Sequence, residues 1–145
     1  MMKKGFIALI VATAMCMTLL ARGASAGDPM TLTLGSSATL QGHGLEVVVP
    51  VTVSCGPFSP TFFANVFVSV RERVGHEIAR GGGSTSDFVC DGSSHSVTVV
   101  VNAFNVPFHP GQSEATASGF ADGLSGGVFQ FQNATAGPQE IRIVH

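Results

Sequence analysis

The chain has 145 residues, of which 45% are hydrophobic and only 11% are charged, and it contains neither tryptophan nor tyrosine. A chain of this length predicts a single domain. Its seven basic residues are outnumbered by nine acidic ones, which disfavours nucleic-acid binding because phosphate backbones are bound by clustered cations.

The first 26 residues have the pattern of a secretory signal peptide. Lys3 and Lys4 form a positive start, an apolar run follows over 5–20, and Ala-Ser-Ala at 24–26 matches a cleavage site. The apolar run is shorter than the ~20 residues that a transmembrane helix needs, although an uncleaved membrane anchor is the alternative. We therefore predict a signal peptide over 1–26 and a secreted domain over 27–145, with no membrane association after cleavage.

Cleavage at this site changes the charge balance. The remaining domain keeps four arginines and all nine acidic residues, which gives a formal charge of −5, and it has no lysine. An acidic domain with so few cations is a poor ligand for nucleic acid, so we predict no nucleic-acid partner.

Two of the three cysteines remain after cleavage. An even number of cysteines in an exported chain indicates a disulfide, here Cys55–Cys90. Closing this loop stabilises a small domain by about 4 kcal/mol in the chain-entropy model. The alternative is a reactive or metal-binding cysteine, but the chain has no C-x-x-C motif.

Alternating apolar and polar residues predict a series of strands, of which Leu45–Cys55 is the clearest. Its valines at 47, 49, 51 and 53 share one face with Cys55, and that face is predicted to be the core face. Pro50 indicates an edge position or a bulge. The strands predicted in chain order are 30–34, 38–41, 45–55, 62–73, 76–80, 85–90, 95–104, 113–121, 128–131 and 140–144. The other inward residues predicted are Val66, Val68, Val70, Val97, Val99, Val101, Ala115, Ala117, Gly119, Ile141 and Ile143.

Short strands at regular spacing, without sustained helical periodicity, predict an all-β fold. We expect a single immunoglobulin-like antiparallel β-sandwich with one disulfide between core strands and with valine and phenylalanine in the core. The small residues at 115, 117 and 119 either bring the two sheets together or leave room for a ligand. Gly81–Ser84 predicts a flexible hairpin end rather than a phosphate loop, because no Gly-Lys-Ser/Thr sequence and no helix follows it.

Several of these features together resemble a known group of domains. Cys55, the Cys90-Asp91-Gly92 turn, His95 at the start of an alternating strand, and Phe-His-Pro-Gly at 108–111 resemble small bacterial secreted β-sandwich domains of unknown function. The resemblance covers residues 45–121; it implies export and the disulfide, and it brings no catalytic residues. A looser similarity is to the secreted apoprotein sandwiches that hold enediyne chromophores, which typically carry a second disulfide that is missing here.

Motifs of catalysis occur only in incomplete form. Gly-Leu-Ser-Gly-Gly at 123–127 matches a nucleophile elbow around Ser125, and Glu140 and His145 follow in hydrolase order, but the motif needs a strand-turn-helix context. His76-Glu77 begins an H-E-x-x-H pattern that fails at Arg80. We predict that the protein is not an enzyme.

The histidines and acids suggest no assembled metal centre. His43, His95 and His109 are scattered and are expected in turns or on the surface. A metal site built from His95, Asp91 and one neighbour is the alternative. We predict no metal and no cofactor.

Two sets of residues are candidates for a partner surface. Phe58, Phe62 and Phe63 around the 56–63 loop are either core plugs or an exposed contact patch. The outward row Phe67, Arg71 and Arg73 combines residue types that are enriched at interfaces, although a solvated sheet face is the alternative.

The function expected from the sequence is a secreted, non-enzymatic binding or structural module. It is expected to be a monomer whose partner is a protein or a small molecule. The alternative is a carrier that holds an apolar small molecule in a cleft lined by phenylalanine and valine. A hydrolase is a more distant third.

Overall fold

The computed structural model describes residues 29–145, so the signal peptide predicted over 1–26 lies outside the described residues. The described residues form eight strands and one short 3-10 turn at Gly42–Gly44. The strands are β1 (Thr31–Leu34), β2 (Ser37–Gln41), β3 (Glu46–Ser54), β4 (Thr61–Val74), β5 (Glu77–Thr85), β6 (Ser94–Ala103), β7 (Gly111–Ser125) and β8 (Val128–Val144).

All eight strands belong to one sheet that closes on itself. The order is β1-β3-β2-β8-β7-β4-β5-β6, and β6 pairs in turn with β3. Strands β1 and β2 pair with opposite ends of β3, Leu34 facing Val51 and Thr39 facing Val48. Strands β1 and β2 therefore lie end to end beside β3 and count as one strand of the barrel wall. The barrel thus has seven strands around its circumference.

The prediction of an immunoglobulin-like antiparallel sandwich is wrong. The β3–β6 ladder, which runs from Glu46 opposite Asn102 to Ser54 opposite Ser94, closes the sheet into a barrel. The sheet is also mixed, because β2 runs parallel to β8. Alternation along a strand shows which side faces the core, but it is the same in a sandwich and in a barrel. The coarser all-β prediction is confirmed.

The residues that the alternation of apolar and polar side chains predicted to face the core are buried or partly buried in the structure. The valines of β3 and β4 that were predicted to face the core are at most 1% exposed. The β7 alanines predicted to face inward are fully buried. Phe108, from the loop before β7, is 1% exposed and is the largest fully buried side chain of the described residues. The most deeply buried side chains, at most 1% exposed, are Val47, Val49, Val51, Val53, Val66, Val68, Val70, Ala79, Val99, Val101, Phe108, Ala115, Ala117, Ala121, Ile141 and Ile143.

The glycine run is part of a strand, so the flexible hairpin end predicted at Gly81–Ser84 is wrong. Strand β5 continues through it to Thr85, and Gly81 and Gly82 pair with β6. A Cβ on Gly83 would lie 1.8 Å from the carbonyl oxygen of Val100. Glycine is therefore required because the β6 backbone approaches too closely for any side chain.

Two other strand predictions also change. Residues 86–93 form a loop, so no strand reaches Cys90, and the two predicted strands near the C-terminus are one strand, β8. Pro50 is not at an edge of the sheet. It lies opposite the interruption between β1 and β2, where its carbonyl accepts a 2.9 Å hydrogen bond from the amide of Gly35.

The disulfide Cys55–Cys90 is present. Cys55 directly follows β3 and Cys90 lies four residues before β6, beyond the last pair of their ladder, Ser54 and Ser94. The bond therefore closes one end of the β3–β6 seam and does not cross between two sheets. Both cysteines are 2% exposed.

Candidate docking face

The phenylalanines predicted around the 56–63 loop separate into two environments. Phe58 is 9% exposed and belongs to the core, whereas Phe62 and Phe63 are 58% and 48% exposed. The register between β4 and β7 shifts between Thr61 and Phe63. A bulge of this kind turns neighbouring residues towards the same side, which places both rings on the outer surface.

Strands β7 and β8 bring three more phenylalanines to the same outer surface. Phe120, Phe129 and Phe131 are 41%, 60% and 56% exposed. The rings of Phe63 and Phe120 stack with centroids 5.0 Å apart, and Phe120 stacks on Phe131 at 6.5 Å. Phe62 stacks on Phe129 at 6.4 Å. We call these five residues, Phe62, Phe63, Phe120, Phe129 and Phe131, the aromatic face.

Sequence reasoning found only two of these five residues. The signal for the others was present, since Phe120 has the opposite alternation phase to the buried Ala115 and Ala117 and therefore points outward. The missing information was that β4, β7 and β8 are neighbours. At this end of the sheet β4 pairs with residues of β7 that are distant in the chain, Phe63 with Asp122 across 59 positions, and no local pattern predicts that pairing.

One acidic side chain lies within the aromatic face. Asp122 on β7 pairs with Phe63 on one side and with Phe131 on the other. Side chains of directly paired residues are about 5 Å apart, so the carboxylate is flanked by rings. Its Oδ1 is buried and has no hydrogen-bond partner among the described residues.

The predicted row Phe67, Arg71 and Arg73 is exposed on β4, as expected. It does not extend the aromatic face, because eight residues of extended strand separate Phe63 from Arg71 by about 26 Å. The two arginines instead line an open groove of about 310 Å³ together with Glu114 and Glu140. Phe67 turns towards Phe104, and both rings cover the Cα of Gly82.

The two members of the alternative metal site are in contact. His95 Nε2 lies 2.8 Å from Asp91 Oδ1 on the surface. This hydrogen bond, together with one from the backbone amide of Ser93, lowers the pKa of Asp91. Within residues 29–145, however, no three histidine, cysteine or acidic side chains converge to hold a metal ion.

The residues of the catalytic motifs do not come together. Ser125 ends β7 at the β7–β8 turn, whereas Glu140 and His145 lie near the far end of β8, about 40 Å away along the strand. His76 and Glu77 lie at the β4–β5 turn and lead into a strand, so the helical spacing that the H-E-x-x-H motif needs is missing.

A buried carboxyl group that sequence reasoning missed lies at the arginine end of the barrel. Glu72 faces inward on β4 and is 5% exposed. Burial raises its pKa above the ordinary value, and a hydrogen bond from the amide of His109 partly opposes this. Ser113, on the neighbouring strand β7, is 6% exposed and its Oγ has no hydrogen-bond partner among the described residues.

Over residues 29–145, no helix has the length and apolar character needed to cross a bilayer. Comparison of the chain with protein-family models, with curated proteins and with solved structures finds no match.

Proposed function

We propose that this chain is an exported, non-enzymatic binding module that docks a partner through the aromatic face. The observation that carries the proposal is a set of five neighbouring phenylalanines, each between 41% and 60% exposed, which form two ring stacks, Phe62 with Phe129 and Phe120 with Phe63 and Phe131. Contiguous exposed apolar patches are uncommon on monomeric proteins and mark interaction sites.

Folding alone does not account for these rings. The solvent side of a one-sided sheet is normally polar, and beyond the aromatic face Ser69, Thr116 and Ser118 follow that rule on β4 and β7, with Phe67 as the exception. Burial of apolar surface stabilises a protein by roughly 25 cal/mol per Å², and the part of each ring that remains in water does not contribute this free energy. A partner that covers the rings recovers this free energy.

The alternative function, a carrier of an apolar molecule inside the fold, has less support. The small-residue row of β7 was its best candidate for empty space. A Cβ on Gly119 would lie 2.7 Å from Cε of Met30 and 3.1 Å from Cδ1 of Leu32, so β1 and the residue before it fill that space. Docking on the outside is therefore favoured over carriage inside.

Export is part of the same proposal. It is supported by the signal-peptide pattern over 1–26 and by the disulfide, since disulfides persist in oxidising compartments such as the extracellular space. The resemblance to small bacterial secreted domains implies the same location, and it is likewise part of the proposal.

Chemical crosslinking in the medium of the producing cells tests the docking function. We expect the wild type to give a defined crosslinked product, and the double variant F129S/F131S to lose it. The matched control is F104S, because Phe104 is 71% exposed but lies outside the aromatic face. Unfolding midpoints of all three proteins establish that they are folded. A product that persists in F129S/F131S, or a wild type that forms none, contradicts the proposal.

A further inference from the structure

One oxygen of the Asp122 carboxylate, Oδ1, lacks a compensating group within residues 29–145. This atom is buried between the rings of the aromatic face and has no hydrogen-bond partner among these residues. Leaving a buried polar atom unpaired is unfavourable, and more so when the group is charged. Because Asp122 as a whole is only half-buried, a group that arrives with a partner can still reach its carboxylate.

The described part of the chain contains no arginine or lysine that can reach it. Residues 29–145 include four arginines and no lysine. Arg71 and Arg73 lie at the end of β4, Arg80 is opposite Arg71 on β5, and Arg142 is near the end of β8. All four are therefore at the other end of the β4–β7–β8 surface, at least about 26 Å along the strands from the aromatic face.

Building on the proposed docking function, we propose that the aromatic face binds a peptide segment of a partner protein in which a cationic side chain, arginine or lysine, is flanked by apolar residues. The guanidinium or ammonium group binds the Asp122 carboxylate, and the methylene stem and the flanking side chains cover the phenylalanine rings. Long basic side chains combine an apolar stem with a charged head, which matches a surface of rings around one carboxylate.

Charge favours a basic, apolar peptide over two other surfaces that could cover the aromatic face, a second copy of the chain and an anionic membrane. A second copy of the chain would bring its own Asp122 and its own aromatic face, but its arginines would be at the wrong end of the surface if the two faces coincided. An anionic membrane would meet a domain with nine acidic and four basic residues and a carboxylate at the centre of the contact. A basic and apolar peptide is complementary in both respects.

The test uses two synthetic peptides that differ only in charge, acetyl-Phe-Arg-Phe-amide and acetyl-Phe-citrulline-Phe-amide. Citrulline has nearly the shape of arginine but is neutral. We expect the wild-type protein, titrated by NMR, to bind the arginine peptide about tenfold more tightly, which corresponds to one hydrogen bond between charged groups. We expect the isosteric variant Asp122→Asn to bind both peptides equally.

The controls separate this inference from the docking function. Glu114→Asn removes a carboxylate at the arginine end of the same surface and is expected to keep the preference for arginine. Phe120→Ala is expected to weaken the binding of both peptides. Equal affinity of the wild type for the two peptides, or no binding of either, overturns the inference, whereas docking is decided independently by the crosslinking experiment. Vesicles of phosphatidylglycerol that bind the wild type, and bind Asp122→Asn more tightly, would assign the face to a membrane and would also overturn it.

Discussion

The backbone amide of His109 donates a 2.8 Å hydrogen bond to Oε2 of Glu72. Glu72 is the inward-facing residue that follows Val66, Val68 and Val70 on β4, and it is the only acidic residue of the described chain that is buried as a whole. The contact holds the segment between β6 and β7 across the end of the barrel.

We expect Glu72→Gln to make stability less dependent on pH. Burial raises the pKa of Glu72 in the folded state, so the neutral carboxyl is favoured there. The neutral Glu72 carboxyl therefore contributes fully to stability below the pKa that Glu72 has in the unfolded chain. This contribution is lost as the pH rises through the higher pKa that Glu72 has in the folded protein. Glutamine has the same shape, stays neutral and keeps an oxygen that accepts the His109 hydrogen bond.

Denaturant unfolding of the wild type and Glu72→Gln between pH 3.5 and 8 measures this effect. The variant should gain stability over the wild type as pH rises above the ordinary glutamate range, and the difference should shrink towards acid pH. The control Glu114→Gln removes an exposed carboxylate from the neighbouring strand and should show no such divergence. A difference that is the same at every pH would contradict the prediction.

The contact between Asp91 and His95 leads to a prediction about the pKa of Asp91. The pKa of Asp91 is lowered first by the hydrogen bond from His95 and then by the amide of Ser93. We expect His95→Ala to raise the measured pKa of Asp91 towards the ordinary aspartate value. NMR detection of the Asp91 side-chain carbon during an acid titration measures it. His43→Ala, which removes a histidine from another turn, should leave the Asp91 titration unchanged.

Removal of the disulfide should destabilise the domain without changing its fold. The bond joins residues 35 positions apart and closes one end of the β3–β6 seam. For the double variant C55A/C90A we expect a loss of about 2–5 kcal/mol in the free energy of unfolding. Denaturant titration of the oxidised wild type, the reduced wild type and the variant measures the loss. Equal stability of the oxidised and reduced wild type would exclude a stabilising role for the bond.

The close approach of β5 to β6 predicts that Gly83→Ala is strongly destabilising. The added Cβ would lie 1.8 Å from the carbonyl oxygen of Val100, and a backbone atom cannot move aside as a side chain can. We expect a loss of about 3 kcal/mol or more. Thermal or denaturant unfolding checks this, with the neighbouring Ser84→Ala as control because Ser84 is exposed. A tolerated alanine at 83 would mean that β6 is free to separate from β5 at this point.

The candidate docking face was only partly predictable. Phe62 and Phe63 were recognised as aromatic residues near a loop, but whether they were buried depended on the bulge at the start of β4. Phe120, Phe129 and Phe131 join them because β7 and β8 are the next strands of the sheet. The position of Asp122 between two rings follows from the same pairing and has no signature in its own neighbourhood of the chain.

Local patterns in the amino-acid sequence were enough to predict the all-β class, the buried faces of the main strands and the Cys55–Cys90 bond. Alternation along a strand is a local consequence of the pleat, and the two cysteines that follow the predicted signal peptide leave one pairing. Only the tertiary structure decided that the sheet closes into a mixed barrel. Closure depends on the β3–β6 ladder and on the parallel contact between β2 and β8, whose paired residues are about 100 positions apart. Hydrogen bonds between backbone groups make those pairings, and because every residue type except proline has both groups, the order of the strands leaves no local pattern in the sequence.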